Sequence, residues 1–239
     1  MKETGKERAM KIGILQTAPN NCEALDRLFA RYPQVQVVHY VDECVWEYVL
    51  AAGGVVTSQC HDILAGDFNK MIGAGCDRLA LLCALVKPGI ETVRRQVSLP
   101  IVAYDDVQAE RAVEVTPPGG KIAVIAMKTT PLEPGKKAVL EAAERAGKQV
   151  EVETICVESA ARCLEETGEI PLADTYFERY LREHQEEYHA YVIPQIPLSR
   201  IMPRLRDMKT PVFDSLEPLV ERLVGSDWDK GFEAEWMKK

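Results

Sequence analysis

The chain has 239 residues, 46% of them hydrophobic and 28% charged, with a formal net charge of -8. That composition suits one large α/β domain or two small ones, and its acidity argues against nucleic acid, which needs a basic face to neutralise phosphates. No apolar run reaches the ~18 to 20 residues that span a bilayer, and the charged amino terminus lacks a signal-peptide core, so a cytoplasmic protein with no membrane partner is expected.

The seven cysteines, at 22, 44, 60, 76, 83, 156 and 163, form an odd set without a C-x-x-C pair. They read as free thiols rather than a disulfide framework. The histidines, at 39, 61, 184 and 189, show no metal-ligand spacing, and no structural metal is expected.

Lys11-Ile12-Gly13-Ile14-Leu15 starts a strand, followed by a polar loop in which Asn20 or Asn21 can cap a helix bearing Leu25, Leu28 and Phe29. Val35 to Tyr40, rich in β-branched residues, is a second strand. Asp42 to Ala52 reads as a helix stopped by Gly53-Gly54, and Ser58 to Gly73 as another with Leu64, Phe68, Met71 and Ile72 at helical spacing. Leu79 to Leu82 is a short buried run between Gly75-Cys76-Asp77 and Lys87-Pro88, with Cys83 at its carboxyl end. A helix after Pro88 and a strand over Leu99–Tyr104 follow. Strands alternating with helices imply βαβ units and a largely parallel sheet.

The pattern then repeats. Lys121-Ile122-Ala123-Val124-Ile125 echoes Lys11 to Leu15 at an offset of 110 (121 − 11), Pro211-Val212-Phe213 echoes Pro100-Ile101-Val102 at 111 (211 − 100), and Gln195 falls opposite Cys83 at 112 (195 − 83). Nearly equal offsets across several elements indicate two copies of one α/β unit. The expected fold is two pseudo-symmetric, doubly wound α/β halves with parallel sheets and a cleft between them, Cys83 facing Gln195. The first half comprises 1–104 plus 212–239, with the helix Leu216–Leu223 returning to it, and the second comprises 105–211. Trp228, Phe232 and Trp236 recur at four-residue spacing in the tail and predict docking onto the protein's own body, with a subunit contact as the alternative.

Nucleotide chemistry is poorly supported. The loop after the first strand has no glycine for a G-x-G-x-x-G cradle, and no G-x-S-x-G elbow occurs. What remains is a strand-end cysteine among polar loops, the place where open α/β sheets bind ligands. Thr129 and Thr130 can bind a carboxylate or cap the helix beginning near Pro131; Thr17 and Asn20 pose the same choice, with capping favoured for Asn20. Asp105 reads as a strand end.

Asp77-Arg78-Leu79-Ala80-Leu81-Leu82-Cys83, the loop Ala126-Met127-Lys128-Thr129-Thr130 and the two-fold repeat together resemble the aspartate/glutamate/hydantoin racemase superfamily, from Lys11 to about Val224. His39 to Glu43 and Tyr104-Asp105-Asp106 are similar to features of one branch of it. The resemblance implies an enzyme without metal or other cofactor that moves a proton at the α-carbon of a small carboxylic acid, often as a homodimer. It implies Cys83 as the catalytic thiol, with substrate contacts from Thr17, Asn20, Ala84, Thr129, Thr130, Gln195 and Ile196. Such a thiol needs a stabilised thiolate, which donors and a helix starting near Pro88 can supply. The chain departs from the family at Gln195, which stands where the second cysteine is expected, and at Ala84, where a hydroxyl or amide is usual. An amide is no base near neutral pH. A symmetric two-thiol racemase is therefore disfavoured, and four readings stay open: a one-cysteine racemase or isomerase, a one-cysteine decarboxylase of a malonate-like acid, a non-catalytic carboxylate-binding protein, and a likeness of doubly wound fold that carries no function by itself.

Overall fold

In the first half the apolar runs form four parallel strands: β1 (Met10–Gln16), β2 (Val35–Val41), β3 (Arg78–Leu82) and β4 (Ile101–Ala103). They lie in the order β2-β1-β3-β4, with Gln16 in register with both Val41 and Leu82. Alternation sends Leu15, Leu79 and Leu81 to one face, where they pack with Val45 and Val49 of α2 (Glu43–Ala51), with Leu64, Phe68 and Met71 of α3 (Ser58–Gly73), and with Ile90 and Val93 of α4 (Ile90–Arg94). Gly13 is small for a reason. A Cβ there would lie 2.8 Å from Met71 Sδ. The computed structural model describes residues 9–226 and 228–229.

The second half repeats this plan with β5 (Lys121–Ala126), β6 (Glu151–Cys156), β7 (Ala190–Val192) and β8 (Val212–Phe213), all parallel, in the order β6-β5-β7-β8. Adding four to each strand number turns one order into the other, so the repeat is structural as well as sequential. Here both faces are covered. Ile122, Val124 and Ala126 pack against α5 (Tyr104–Val115) and α6 (Leu132–Arg145), while Ala123, Ile125 and Tyr191 pack with α7 (Glu158–Thr167), α8 (Ile170–Glu183) and the 3₁₀ segment Ile196–Arg204.

Several expectations change. The strand expected over Leu99–Tyr104 stops at Ala103, and Tyr104 already begins α5. Asp105 is therefore a first-turn helical residue, buried at 3% exposure, rather than a strand end. Neither Asn20 nor Asn21 caps α1 (Cys22–Phe29): Asn20 sits in the 3₁₀ turn Pro19–Asn21, and Asn21 holds the cap position without a side-chain bond. Residues 212–221 belong to the second unit, not the first, because β8 pairs with β7. The chain divides into one unit up to Ala103 that resumes at Arg222, and another from Tyr104 to Glu221. The helix expected over Leu216–Leu223 is α9 (Glu217–Val224), which straddles that boundary. Its carboxyl end is tied to β3, since Arg78 donates to Gly225 O at 2.7 Å and stacks over Trp228 at 5.2 Å. Phe232 and Trp236 lie outside the described residues. Among the described residues no helix is long and apolar enough to cross a membrane.

One charged cluster joins β2 to α3. Asp67 is 2% exposed and accepts from Tyr40 Oη and Lys70 Nζ, each at 2.9 Å. It also meets Asp42, whose own carboxylate caps α2 at Cys44 N. Burial pushes the Asp67 carboxyl above its ordinary 3.8; Lys70 pulls it down, Asp42 pushes it up and Tyr40 pulls it down. An acid raised in the folded state supports folding below its unfolded value, and that support is lost as pH rises through the folded value. Asp67→Asn keeps an acceptor for Tyr40 and gives Asp42 an N–H donor. The variant should melt about 2–4 °C higher than wild type at pH 7, with the difference vanishing toward pH 3, as differential scanning calorimetry across pH would show.

Candidate active site

Parallel register dictates what meets at the carboxyl ends of the strands. Ile12 pairs with Arg78 and Gln16 with Leu82, so the next residues along, Thr17 and Cys83, leave neighbouring strands side by side, roughly 4.8 Å apart in backbone. Thr17 Oγ1 donates to Cys83 Sγ at 3.0 Å, and both residues are buried, at 7% and 6% exposure. Cys83 packs with the core of its half, near Val86 and Leu85. A hydroxyl donated to sulfur binds more strongly as negative charge develops there. Thr17 thus contacts the thiol itself, a role that the reading of its loop as a carboxylate-binding or capping segment did not include.

The equivalent position in the second half has different chemistry. Val124 pairs with Val192, and three residues further along Met127 N donates to Gln195 Oε1 at 2.9 Å. The Gln195 carbonyl oxygen is occupied by loop backbone, which leaves its NH2 group as a donor. Gly135 of α6 holds this loop closely: a Cβ there would lie 2.9 Å from Pro194 and from Val124. Ile196, half-buried, opens the 3₁₀ segment, and Gln195 occupies its cap position.

The other expected site residues are placed as follows. Ala84 is exposed directly after Cys83, and Asn20 is exposed in its turn. Thr129 and Thr130 are exposed in the loop between β5 and α6; neither hydroxyl caps α6, where Pro131 holds the cap position, and the turn closes through the Thr129 carbonyl instead. The capping reading is therefore overturned for Asn20, Thr129 and Thr130. The helix expected to reinforce Cys83 starts at Ile90, after a 3₁₀ turn over Lys87–Gly89, and has only five residues. Its dipole is correspondingly weak, and Thr17 is the donor that the structure gives the thiol.

Among the other thiols, burial pushes Cys76 up against a lowering by Lys11, and pushes Cys156 up with help from Glu158 and Glu165. Neither environment favours a thiolate. No group of three or more His, Cys, Asp and Glu side chains that could hold a metal occurs among the described residues. A depression of about 490 Å³ on α8 is lined by Glu178, Arg179, Arg182 and Arg204. Its arginines are largely neutralised, Arg182 by Glu178 and Asp207, and Arg204 by Glu178.

No family model matches the chain, and no curated protein does. Solved structures do. The chain is similar to an aspartate racemase homologue from Pyrococcus horikoshii OT3 (18% identity, TM-score 0.66, covering 90% of this chain and 97% of that one). It is also similar to allantoin racemase from Klebsiella pneumoniae (12%, 0.60, 90% and 86%) and to glutamate racemase from Campylobacter jejuni subsp. jejuni (17%, 0.58, 94% and 86%). The fold is that of the Asp/Glu racemases. At these identities the likeness speaks for the fold, and the racemase-fold chemistry of this chain has to be argued from Thr17, Cys83 and Gln195 themselves.

Sequence reasoning missed the array around Gln16, in which Gln16 Nε2 contacts Cys22 Sγ and His39 Nδ1 while His39 Nε2 contacts Asp26 Oδ1. The one signal for it was a polar residue inside an apolar strand. Thr17→Val removes the hydroxyl with little change of shape. It should slow alkylation of Cys83 by iodoacetamide about tenfold, with the exposed Cys44 as unchanged internal reference in the same peptide map.

Proposed function

We propose that this protein is a cofactor-independent, racemase-type enzyme that moves a proton at the α-carbon of a small carboxylic acid, with Cys83 as its single proton-transferring thiol. The observation that carries the reading is the buried Thr17–Cys83 pair at the carboxyl ends of β1 and β3. A thiolate at Cys83 takes the α-proton and the thiol so formed gives a proton back to the planar carbanion: on the same face this exchanges the α-hydrogen with solvent, and inversion follows when the carbanion turns over before it is protonated. Thr17 holds the sulfur and stabilises its charged form. Asn20 and the chain at Ala84, exposed beside this pair in sequence, supply donors for the substrate carboxylate. In the second half Thr129, Thr130 and the NH2 group of Gln195 form a set of donors, with Ile196 alongside, that suits a carboxylate but offers no base.

Gln195 supports a second reading. With its oxygen tied to Met127 N, the position equivalent to Cys83 has no acid or base, and one thiol suffices for decarboxylation of a malonate-like acid. There the C–C bond to one carboxylate breaks, CO2 leaves, and the Cys83 thiol protonates the carbanion.

Both readings are tested by incubating the protein in D2O with a panel of amino acids and substituted malonates, followed by proton NMR. Deuterium wash-in at the α-carbon without substrate loss supports the first, and substrate loss with CO2 release supports the second. Cys83→Ala should lower either rate at least ~100-fold. Tight binding of a panel member with neither reaction would instead support a carboxylate-binding protein.

A further inference from the structure

A second thiol, distant in role from Cys83, is built into the first half. Gln16 is the last residue of β1 and Thr17 the first after it, and their side chains have different partners. Thr17 turns to Cys83. Gln16, fully buried, turns to Cys22, the first residue of α1. Its Nε2 donates to Cys22 Sγ at 3.3 Å and lies 3.1 Å from His39 Nδ1, while His39 Nε2 lies 2.9 Å from Asp26 Oδ1.

This geometry orients the amide. Asp26 accepts only if His39 carries its proton on Nε2, and Nδ1 then offers a lone pair to one N–H of Gln16. The other N–H points at Cys22 sulfur. The backbone N–H of Cys22 is taken by Pro19 O, so the Gln16 amide is the donor that the structure gives this sulfur. The carbonyl oxygen of the amide is left over: Gln16 Oε1 is buried and has no hydrogen-bond partner. A buried acceptor without a donor is rare in folded proteins, and here it sits on the same amide group that touches the sulfur.

We propose that Cys22 is a hydroperoxide-reactive thiol, a modification site separate from Cys83, in which the Gln16 amide serves both the reduced and the oxidised sulfur. The thiolate attacks one peroxide oxygen. An S–O bond forms and the O–O bond breaks; sulfur is oxidised by two electrons, and the departing oxyanion takes up the proton that the thiol released, leaving as water or an alcohol. The product, a sulfenic acid, carries the O–H donor that Gln16 Oε1 lacks in the reduced protein. Cys22 is partly buried, which admits a molecule as small as hydrogen peroxide.

Cys44 provides the control inside the same molecule. It is more exposed, and it also sits in the first turn of a helix, α2, but no amide donates to its sulfur among the described hydrogen bonds. The full-length reduced protein is treated with one equivalent of hydrogen peroxide in the presence of dimedone, and labelling is followed site by site by peptide mass spectrometry. Cys22 should be labelled at least about tenfold faster than Cys44. Equal or faster labelling of Cys44 would overturn the proposal. Gln16→Met should bring the Cys22 rate down to that of Cys44 without changing the Cys44 rate; an unchanged Cys22 rate in a folded variant would also overturn it. Should Gln16→Met fail to fold, the wild-type comparison decides alone.

Discussion

Parallel pairing of the first and third strand of each half is the constraint on which the rest depends. It carries Thr17 beside Cys83 as the next residues along the register, and Met127 beside Gln195 three residues past the last β5–β7 pair. For the first pair no loop has to be folded into place. The strands are buried on the faces that matter, and slipping the register by one residue would turn Leu15, Leu79 and Leu81 out of the core. The energy of the hydrophobic core therefore also fixes the distance between the two atoms proposed to act together.

The two halves spend the same scaffold differently. In the first, a side-chain hydroxyl donates to a thiol. In the second, a side-chain amide reaches a backbone N–H, which satisfies a buried donor and rigidifies the loop. The first is the arrangement on which the proposed chemistry rests, and the second ties two loops together. That asymmetry separates this chain from a symmetric pair of thiols more firmly than the absence of a second cysteine does, because the Gln195 oxygen is already engaged.

Much of the fold was legible because strands of β-branched and aliphatic residues and the 110-residue repeat are properties of local sequence. The helix α5 was not. It is buried on several sides while carrying Asp105, Asp106, Gln108 and Glu110, and its apolar positions are small alanines and valines that give little periodic contrast. In α8 the signal was present, since Ala173, Phe177 and Leu181 recur every four residues and are buried. The position of Cys83 was readable from its strand end, but its partner was not, because the Thr17 bond depends on register between strands 66 residues apart. The helix cap favoured for Asn20, and the one open to Thr129 and Thr130, failed for a related reason. Short polar residues before a helix raise the odds of a cap, while the 3₁₀ turn at Pro19 and the placement of Pro131 decide which residue stands in the cap position.

The central claim is that a single thiol performs the proton transfer, and the stereochemical course in D2O tests it most directly. A lone thiol addresses one face of the α-carbon. Chiral analysis should find deuterium entering on one face, with initial exchange rates of the two enantiomers of a substrate differing at least about tenfold, or a prochiral malonate giving one labelled enantiomer. Equal initial rates from both enantiomers, or a racemic labelled product from the prochiral malonate, would contradict it.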